Sequence, residues 1–172
     1  MKKILIALLA LVMLVSSAMA EGLTSFTTVD ISGGYENPAE VTQDIFSGYD
    51  LTMVNVWATW CGYCVQEMPE LAKLKDMLPE NVNLISICDD AQSEPELVTQ
   101  ILQTTGATNF PTLVPNDDMY AQLLGQVYAF PTTFFMDSEG NGIGYMEGVP
   151  SMENAAEAYL DIIHDVLGKL GV

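Results

Sequence analysis

Arginine is absent from this chain, and lysine occurs only five times in 172 residues against 23 acidic residues. Without a guanidinium fork, bidentate phosphate recognition loses its best donor. A formal charge of −18 also repels nucleic acid and anionic lipid headgroups. No nucleic-acid partner is therefore expected. Histidine occurs once, as His164, and cysteine three times, as Cys61, Cys64 and Cys88. A structural zinc site needs four ligands, and these four do not repeat a ligand spacing, so no metal is expected. His164 flanks an apolar stripe and reads as a surface imidazole. There is no internal repeat, no low-complexity tract and no linker to a second domain. Past the first twenty residues, no segment is long and apolar enough to span a bilayer. A single domain of ordinary size is implied, able to bury a core without metals or several disulfides.

The first twenty residues are set apart by their own pattern. Met1-Lys2-Lys3 is a positive start, Ile4 to Val15 is unbroken and apolar, and Ala18-Met19-Ala20 is a small-x-small cleavage site. Residues 1–20 thus read as a signal peptide and 21–172 as the mature domain. Cleavage would leave three lysines against 23 acidic residues, a formal charge of −20. The alternative is an uncleaved leader that holds the protein at a membrane. No cysteine adjoins the cut, which argues against a lipoprotein. Either way the chain is expected to be exported, periplasmic or secreted, where disulfides persist.

Strands then alternate with helices. "SFTTVDISGG" reads as an N-terminal strand closed by a glycine turn, and "EVTQDIFSGYD" as a short strand or a turn-rich connection. "LTMVNVWAT" and "NVNLISICDD" are apolar runs expected of strands buried on both faces. Between them a helix begins at Cys61, with Met68, Leu71, Ala72, Leu74 and Leu78 on its apolar side, Pro69 as an expected kink and Pro79 as its end. "SEPELVTQILQTTGA" reads as a helix opened by a Ser93–Glu96 capping box and closed by Gly106. A short extended piece at "NFPTLVPND" and a short helix at "MYAQLLGQV" follow. Two β-rich runs flank the turn at Asp137–Gly142. The last helix, from Ser151 to about Leu170, places Met152, Ala155, Ala156, Tyr159, Ile163, Val166, Leu167 and Leu170 at core spacing. The order implies an α/β sandwich around a central mixed sheet flanked by helices, with an N-terminal β extension.

The chemistry sits in "WATWCGYCVQEMPEL". A disulfide between Cys61 and Cys64 would close too short a loop to stabilise the fold much, and two inert buried thiols fit poorly with the turn-forming Gly62 and Tyr63. Exchange chemistry explains more. Cys61 at a helix mouth faces unpaired N–H groups and the positive dipole end, which favour a thiolate. Its pKa is expected to fall below ~8.5, into the range of roughly 3.5 to 7.5. Cys64, one turn deeper, can resolve a mixed disulfide by intramolecular attack. That step needs a base, and Glu67 lies on the same side of the helix at i to i+3. Partial burial would raise its pKa toward neutrality. On spacing alone Glu67 reads equally well as a solvated helix glutamate. Pro131 enters a strand, an unusual position. A cis peptide there would free the Phe130 backbone to pair with an extended substrate, although trans is the ordinary state.

With these residues the chain resembles the TlpA/ResA-like group of exported thiol-disulfide oxidoreductases, which have a thioredoxin-like fold. "VNVWATWCGYCVQEMPEL" matches the Cys-x-x-Cys-x-x-Glu-x-Pro pattern and "FPTTFFMDSEGN" the cis-proline strand. The likeness runs from about Thr24 to Gly168. It implies Cys61 as attacking thiol, Cys64 as resolving thiol, Glu67 as acid–base residue and Pro131 as cis-proline, with Trp60, Gly62, Tyr63 and Phe130 touching substrate. Asn55 stands where thioredoxin keeps a buried aspartate, in keeping with proton handling by Glu67. Tyr63 replaces a frequent proline, and Phe130 is bulkier than usual. The resemblance further implies protein disulfide substrates, apocytochrome c thiols among them, a membrane electron donor, a monomer and no cofactor. Cys88 reads as a free buried thiol, with intermolecular pairing as the alternative. The rival functions are a disulfide oxidase or isomerase, a copper- or haem-carrying protein without turnover, and a peroxidase.

Overall fold

The computed structural model describes residues 22–172, so the predicted leader and its cleavage lie outside the described residues. In chain order the elements are β1 (Thr27–Asp30), β2 (Ala39–Thr42), β3 (Leu51–Trp57), α1 (Gly62–Met77), β4 (Val82–Cys88), α2 (Pro95–Thr105), β5 (Thr112–Leu113), α3 (Asp117–Gln122), β6 (Thr132–Met136), β7 (Gly142–Glu147) and α4 (Ala155–Leu170). Short 3₁₀ turns occupy Gln43–Phe46 and Leu124–Gln126. One seven-stranded sheet runs in the order β2-β1-β5-β4-β3-β6-β7. β3 is parallel to β4, and β4 to β5, while β1, β6 and β7 pair antiparallel. The expected mixed sheet and N-terminal β extension are both present.

Every residue of β3 and β4 is buried, which is why both read as continuous apolar runs without alternation. The two-residue strand period still sorts their side chains between two cores. Met53 and Trp57 join the core beneath α1, α2 and α4, whereas Val54 and Val56 join a smaller one with Phe46, Met119 and Met136. Asn55 shares the face of Met53 and Trp57, so a polar side chain is delivered under α1 and α4. In the β3–β6 register its partner is Thr133, equally buried.

Two helix starts depart from the sequence pattern, those of α2 and α4. α2 starts at Pro95 with Glu94 as N-cap and no side-chain cap bond. The Ser93 hydroxyl donates instead to the Asp90 carbonyl at 3.0 Å, so the expected capping box does not form. Pro95, whose missing N–H costs nothing in the first turn, sets the start. Gly106 closes α2 in the left-handed region, as expected (φ 76°). α4 starts at Ala155 after Asn154, leaving Met152 exposed before the helix, and Leu170 in its last turn is exposed as well. α1 runs through Pro69 from Gly62 to Met77 without interruption, and Leu78 is its C-cap.

The hairpin turn between β6 and β7 also anchors the start of the described chain. The Asp137 carboxylate accepts from the Glu139 and Asn141 amides, both at 2.9 Å. Gly140 adopts φ 80°, and a Cβ there would lie 2.5 Å from the Leu23 carbonyl oxygen. The Leu23 N–H donates to the Gly140 carbonyl at 2.8 Å. This contact sits at the end of β6 opposite Pro131.

Candidate active site

β3 ends at Trp57, and the chain turns through Ala58, Thr59 and Trp60 into α1. The Cys61 amide donates to the Ala58 carbonyl at 3.0 Å. The Asp90 carboxylate holds the loop from the neighbouring strand end, accepting from the Thr59 amide at 2.9 Å and from the Thr59 hydroxyl. Burial raises the Asp90 carboxyl, but the Thr59 and Cys88 hydrogen bonds outweigh it and leave its pKa below the ordinary value. Cys88 donates to the same carboxylate at 3.3 Å. It is free and fully buried, and burial followed by Asp90 pushes its thiol pKa strongly up.

Cys61 is the N-cap of α1 in extended conformation, and its sulfur accepts from the Cys64 amide at 3.2 Å. The sequence expectation of a sulfur facing the open N–H groups of a helix is met. Cys61 and Cys64 are joined in a disulfide. Cys64 is wholly buried and Cys61 only 7% exposed.

Glu67, one turn beyond Cys64, is 1% exposed, which settles its environment against a solvated helix glutamate. Its Oε1 accepts from Asn55 Nδ2 at 3.0 Å and its Oε2 from the Tyr159 hydroxyl at 3.1 Å. Thr133 Oγ1 accepts from Asn55 Nδ2 at 3.2 Å and lies 3.3 Å from the Tyr159 hydroxyl. Four side chains from α1, β3, β6 and α4 thus close a hydrogen-bonded ring. Burial raises the Glu67 pKa from 4.5 to about 7, and the Asn55 and Tyr159 bonds, which favour the carboxylate, counter only part of this. Tyr159 is pushed well above its ordinary value, first by burial and then by Glu67. It stays a neutral phenol.

The Phe130–Pro131 peptide is cis. Since Thr132 pairs with Val56, Pro131 lies at the end of β3 that carries the cysteine loop. Its carbonyl accepts from the Gly148 amide at 2.7 Å, while no described residue hydrogen-bonds the Phe130 backbone. Around the disulfide Gly62 is exposed, Trp60 is 70% and Tyr63 65% exposed, and Trp60 packs edge-on against Phe130 at 5.5 Å. Tyr128, 88% exposed, adds an aromatic on the approach to Phe130.

Cys61, Cys64, Glu67 and the Trp60–Phe130 pair therefore converge at one end of β3, with Pro131 at the same end. His164 is exposed on α4 and plays no part. Three contributors escape sequence reading. Tyr159 sits in an apolar stripe where its ring suffices to explain it, and Thr133 is one threonine in a β-rich run. Asp90 is one acid among many. The one legible signal was a phenol in a stripe of otherwise aliphatic residues.

The Redoxin family model matches residues 23–160. The thiol:disulfide interchange protein DsbE of Vibrio cholerae is 35% identical over 101 residues, covering 57% of this chain and 50% of that protein. The thiol-disulfide oxidoreductase ResA of Bacillus subtilis is 24% identical over 111 residues, 64% of this chain and 59% of that one. This chain spans about half the length of the curated relatives it matches. A thiol:disulfide interchange protein of the thioredoxin family from Chlorobium tepidum superposes with a TM-score of 0.65 at 20% identity, covering 83% of this chain and 96% of that one. The fold is thioredoxin-like.

Proposed function

The chain belongs to the Redoxin family, and on that premise we propose that it is an exported thiol-disulfide oxidoreductase that reduces disulfides of other proteins through Cys61 and Cys64. The observation that carries this reading is the Cys61–Cys64 disulfide at the mouth of α1, backed one turn later by a buried carboxyl. In the reduced form the Cys61 thiolate attacks a client disulfide. A bond forms between Cys61 Sγ and one client sulfur, and the other leaves as a thiolate. Cys64 then gives its proton to the Glu67 carboxylate and attacks Cys61 Sγ, expelling the second client thiolate. The client gains two electrons, and the chain is left in the oxidised state seen here.

Glu67 suits the transfer because a pKa of about 7 lets it accept a proton in one half-cycle and return it in the other. The unpaired Phe130 backbone beside Pro131 offers an edge for an extended client segment, with Trp60 and Tyr63 as its apolar contacts. The family resemblance makes apocytochrome c thiols a candidate client and a membrane donor the source of electrons. The leader pattern supports export.

The test is a Cys64→Ser variant, in which Cys61 stays locked to its client and mass spectrometry identifies the trapped partner. The wild type is expected to catalyse insulin disulfide reduction, and the variant is not. A protein that captures nothing and whose Cys61 is unreactive at neutral pH overturns the mechanism. A potential near about −120 mV, typical of a strong disulfide donor, overturns the direction.

A further inference from the structure

We propose that Tyr159 and Thr133 form a reversible hydroxyl relay that keeps Glu67 hydrogen-bonded in both of its protonation states, which makes them positioning residues for the proton step at Cys64. The inference rests on the reading of Glu67 as the acid–base residue.

A buried carboxyl that cycles between charged and neutral forms meets a specific difficulty. The carboxylate only accepts hydrogen bonds, whereas the acid must also donate one. An environment built for one form leaves a buried group unsatisfied in the other, at a cost that would fix the proton in place. Asn55 Nδ2 cannot resolve this, because an amide N–H only donates.

Hydroxyls can do so, since each both donates and accepts. Tyr159 Oη lies 3.1 Å from Glu67 Oε2 and 3.3 Å from Thr133 Oγ1, and either hydroxyl of the Tyr159–Thr133 pair can serve as donor. With Glu67 ionised, the Thr133 hydroxyl donates to Tyr159 and Tyr159 donates to the carboxylate. With Glu67 protonated, its own O–H donates to Tyr159 Oη, and the Tyr159 hydrogen turns to Thr133 Oγ1. No heavy atom has to move. All four residues are buried, so water does not take over either role.

The groups hydrogen-bonded to the carboxyl are Asn55 from β3 and Tyr159 from α4, with Thr133 from β6 joining those two and Cys64 one turn before Glu67 on α1. Among the described residues no lysine, histidine or second carboxylate hydrogen-bonds or ion-pairs with this ring. Lys73 pairs with Glu70 and Glu157 and Lys75 with Asn83. With burial the same throughout, the hydroxyl bonds are left to adjust the balance between the two states.

Two substitutions separate the relay from a merely structural role, because they push in opposite directions. Tyr159→Phe keeps the ring but removes both the donor to the carboxylate and the acceptor for the acid; the bond to the ionised form is the stronger, so its loss dominates and raises the Glu67 midpoint. Thr133→Val keeps the donor but takes away the acceptor to which Tyr159 turns when Glu67 is protonated. That disfavours the neutral form and lowers the midpoint. Thr133→Ser restores the acceptor and returns the wild-type value.

The readout is the ¹³C chemical shift of the Glu67 carboxyl titrated in the full oxidised protein, with Glu67→Gln to assign the resonance. A displacement of at least about half a pH unit each way is expected, about threefold in the protonation equilibrium. The pH limb of insulin reduction moves with it. If the Glu67→Gln variant retains the near-neutral resonance, Glu67 is not the titrating group and the acid–base reading fails. If that resonance disappears but Tyr159→Phe and Thr133→Val leave the midpoint in place or move it the same way, the relay fails while the role of Glu67 stands. Should Thr133→Val not fold, a Tyr159→Phe midpoint equal to or below the wild type overturns the relay alone.

Discussion

Replacing Glu67 by glutamine should flatten a specific part of the protein's stability profile. The carboxyl is held at about 7 in the fold against 4.5 in the unfolded chain. The fold therefore prefers the neutral form. Stability is fully present below the unfolded value, declines as pH rises from 4.5 and is lost once pH passes 7. A shift of this size corresponds to about 3 kcal/mol between the limits. Glutamine keeps the shape and an acceptor for Asn55 but carries no ionisation. Urea unfolding of the oxidised proteins, followed by the fluorescence of the buried Trp57, gives the free energy at pH 4 and pH 8. The many surface carboxylates act alike in both proteins and cancel in the difference. The wild type is expected to lose about 3 kcal/mol more than the variant across that interval and to fall below it in stability at pH 8. Parallel profiles, within about 0.5 kcal/mol at every pH, would refute the assignment of a raised pKa to this buried carboxyl.

Other consequences follow from residues outside the dithiol. Gly140→Ala combines a left-handed backbone with a Cβ 2.5 Å from the Leu23 carbonyl, and should cost about 2 kcal/mol or more in urea unfolding. An unchanged midpoint would contradict the contact. The Cys88 thiol, wholly buried and with its pKa pushed up, should escape iodoacetamide at pH 8 until the protein unfolds. Mass spectrometry of the alkylated native protein checks this. Thr59→Val removes one of the two Thr59 bonds to Asp90. It should destabilise the fold by about 1 to 3 kcal/mol, measurable as a lowered urea midpoint. With a formal charge of −18, reduction of a cationic disulfide peptide should slow as salt rises from about 20 to 500 mM, and that of an acidic peptide should not. Stopped-flow rates distinguish the two.

What the sequence revealed was what local pattern controls. The apolar runs of β3 and β4, the hairpin punctuation at Asp137–Gly142 and the Cys61–Cys64 pair at a helix mouth are short-range signals, and each appears where expected. Glu67 was half legible, since spacing placed it on the side of Cys64 but could not tell buried from solvated. The difference is made by Tyr159, 92 residues away, and by the Asn55–Thr133 contact across 78 residues. No local periodicity reports such pairings. The helix starts failed for another reason. The Ser93 hydroxyl is engaged by the Asp90 carbonyl rather than by a helix amide, and Met152 lies ahead of the first turn of α4.

The bond between Leu23 and Gly140 also fixes where the described chain begins relative to the disulfide. β6 and the turn that follows it separate that bond from Pro131 by about 20 Å, taking roughly 3.3 Å per residue. Gly22 therefore lies at the pole opposite the disulfide. A client that reaches the reactive sulfurs therefore docks at the far end of the molecule from Gly22, and that contact leaves the Asp137–Gly142 turn uncovered.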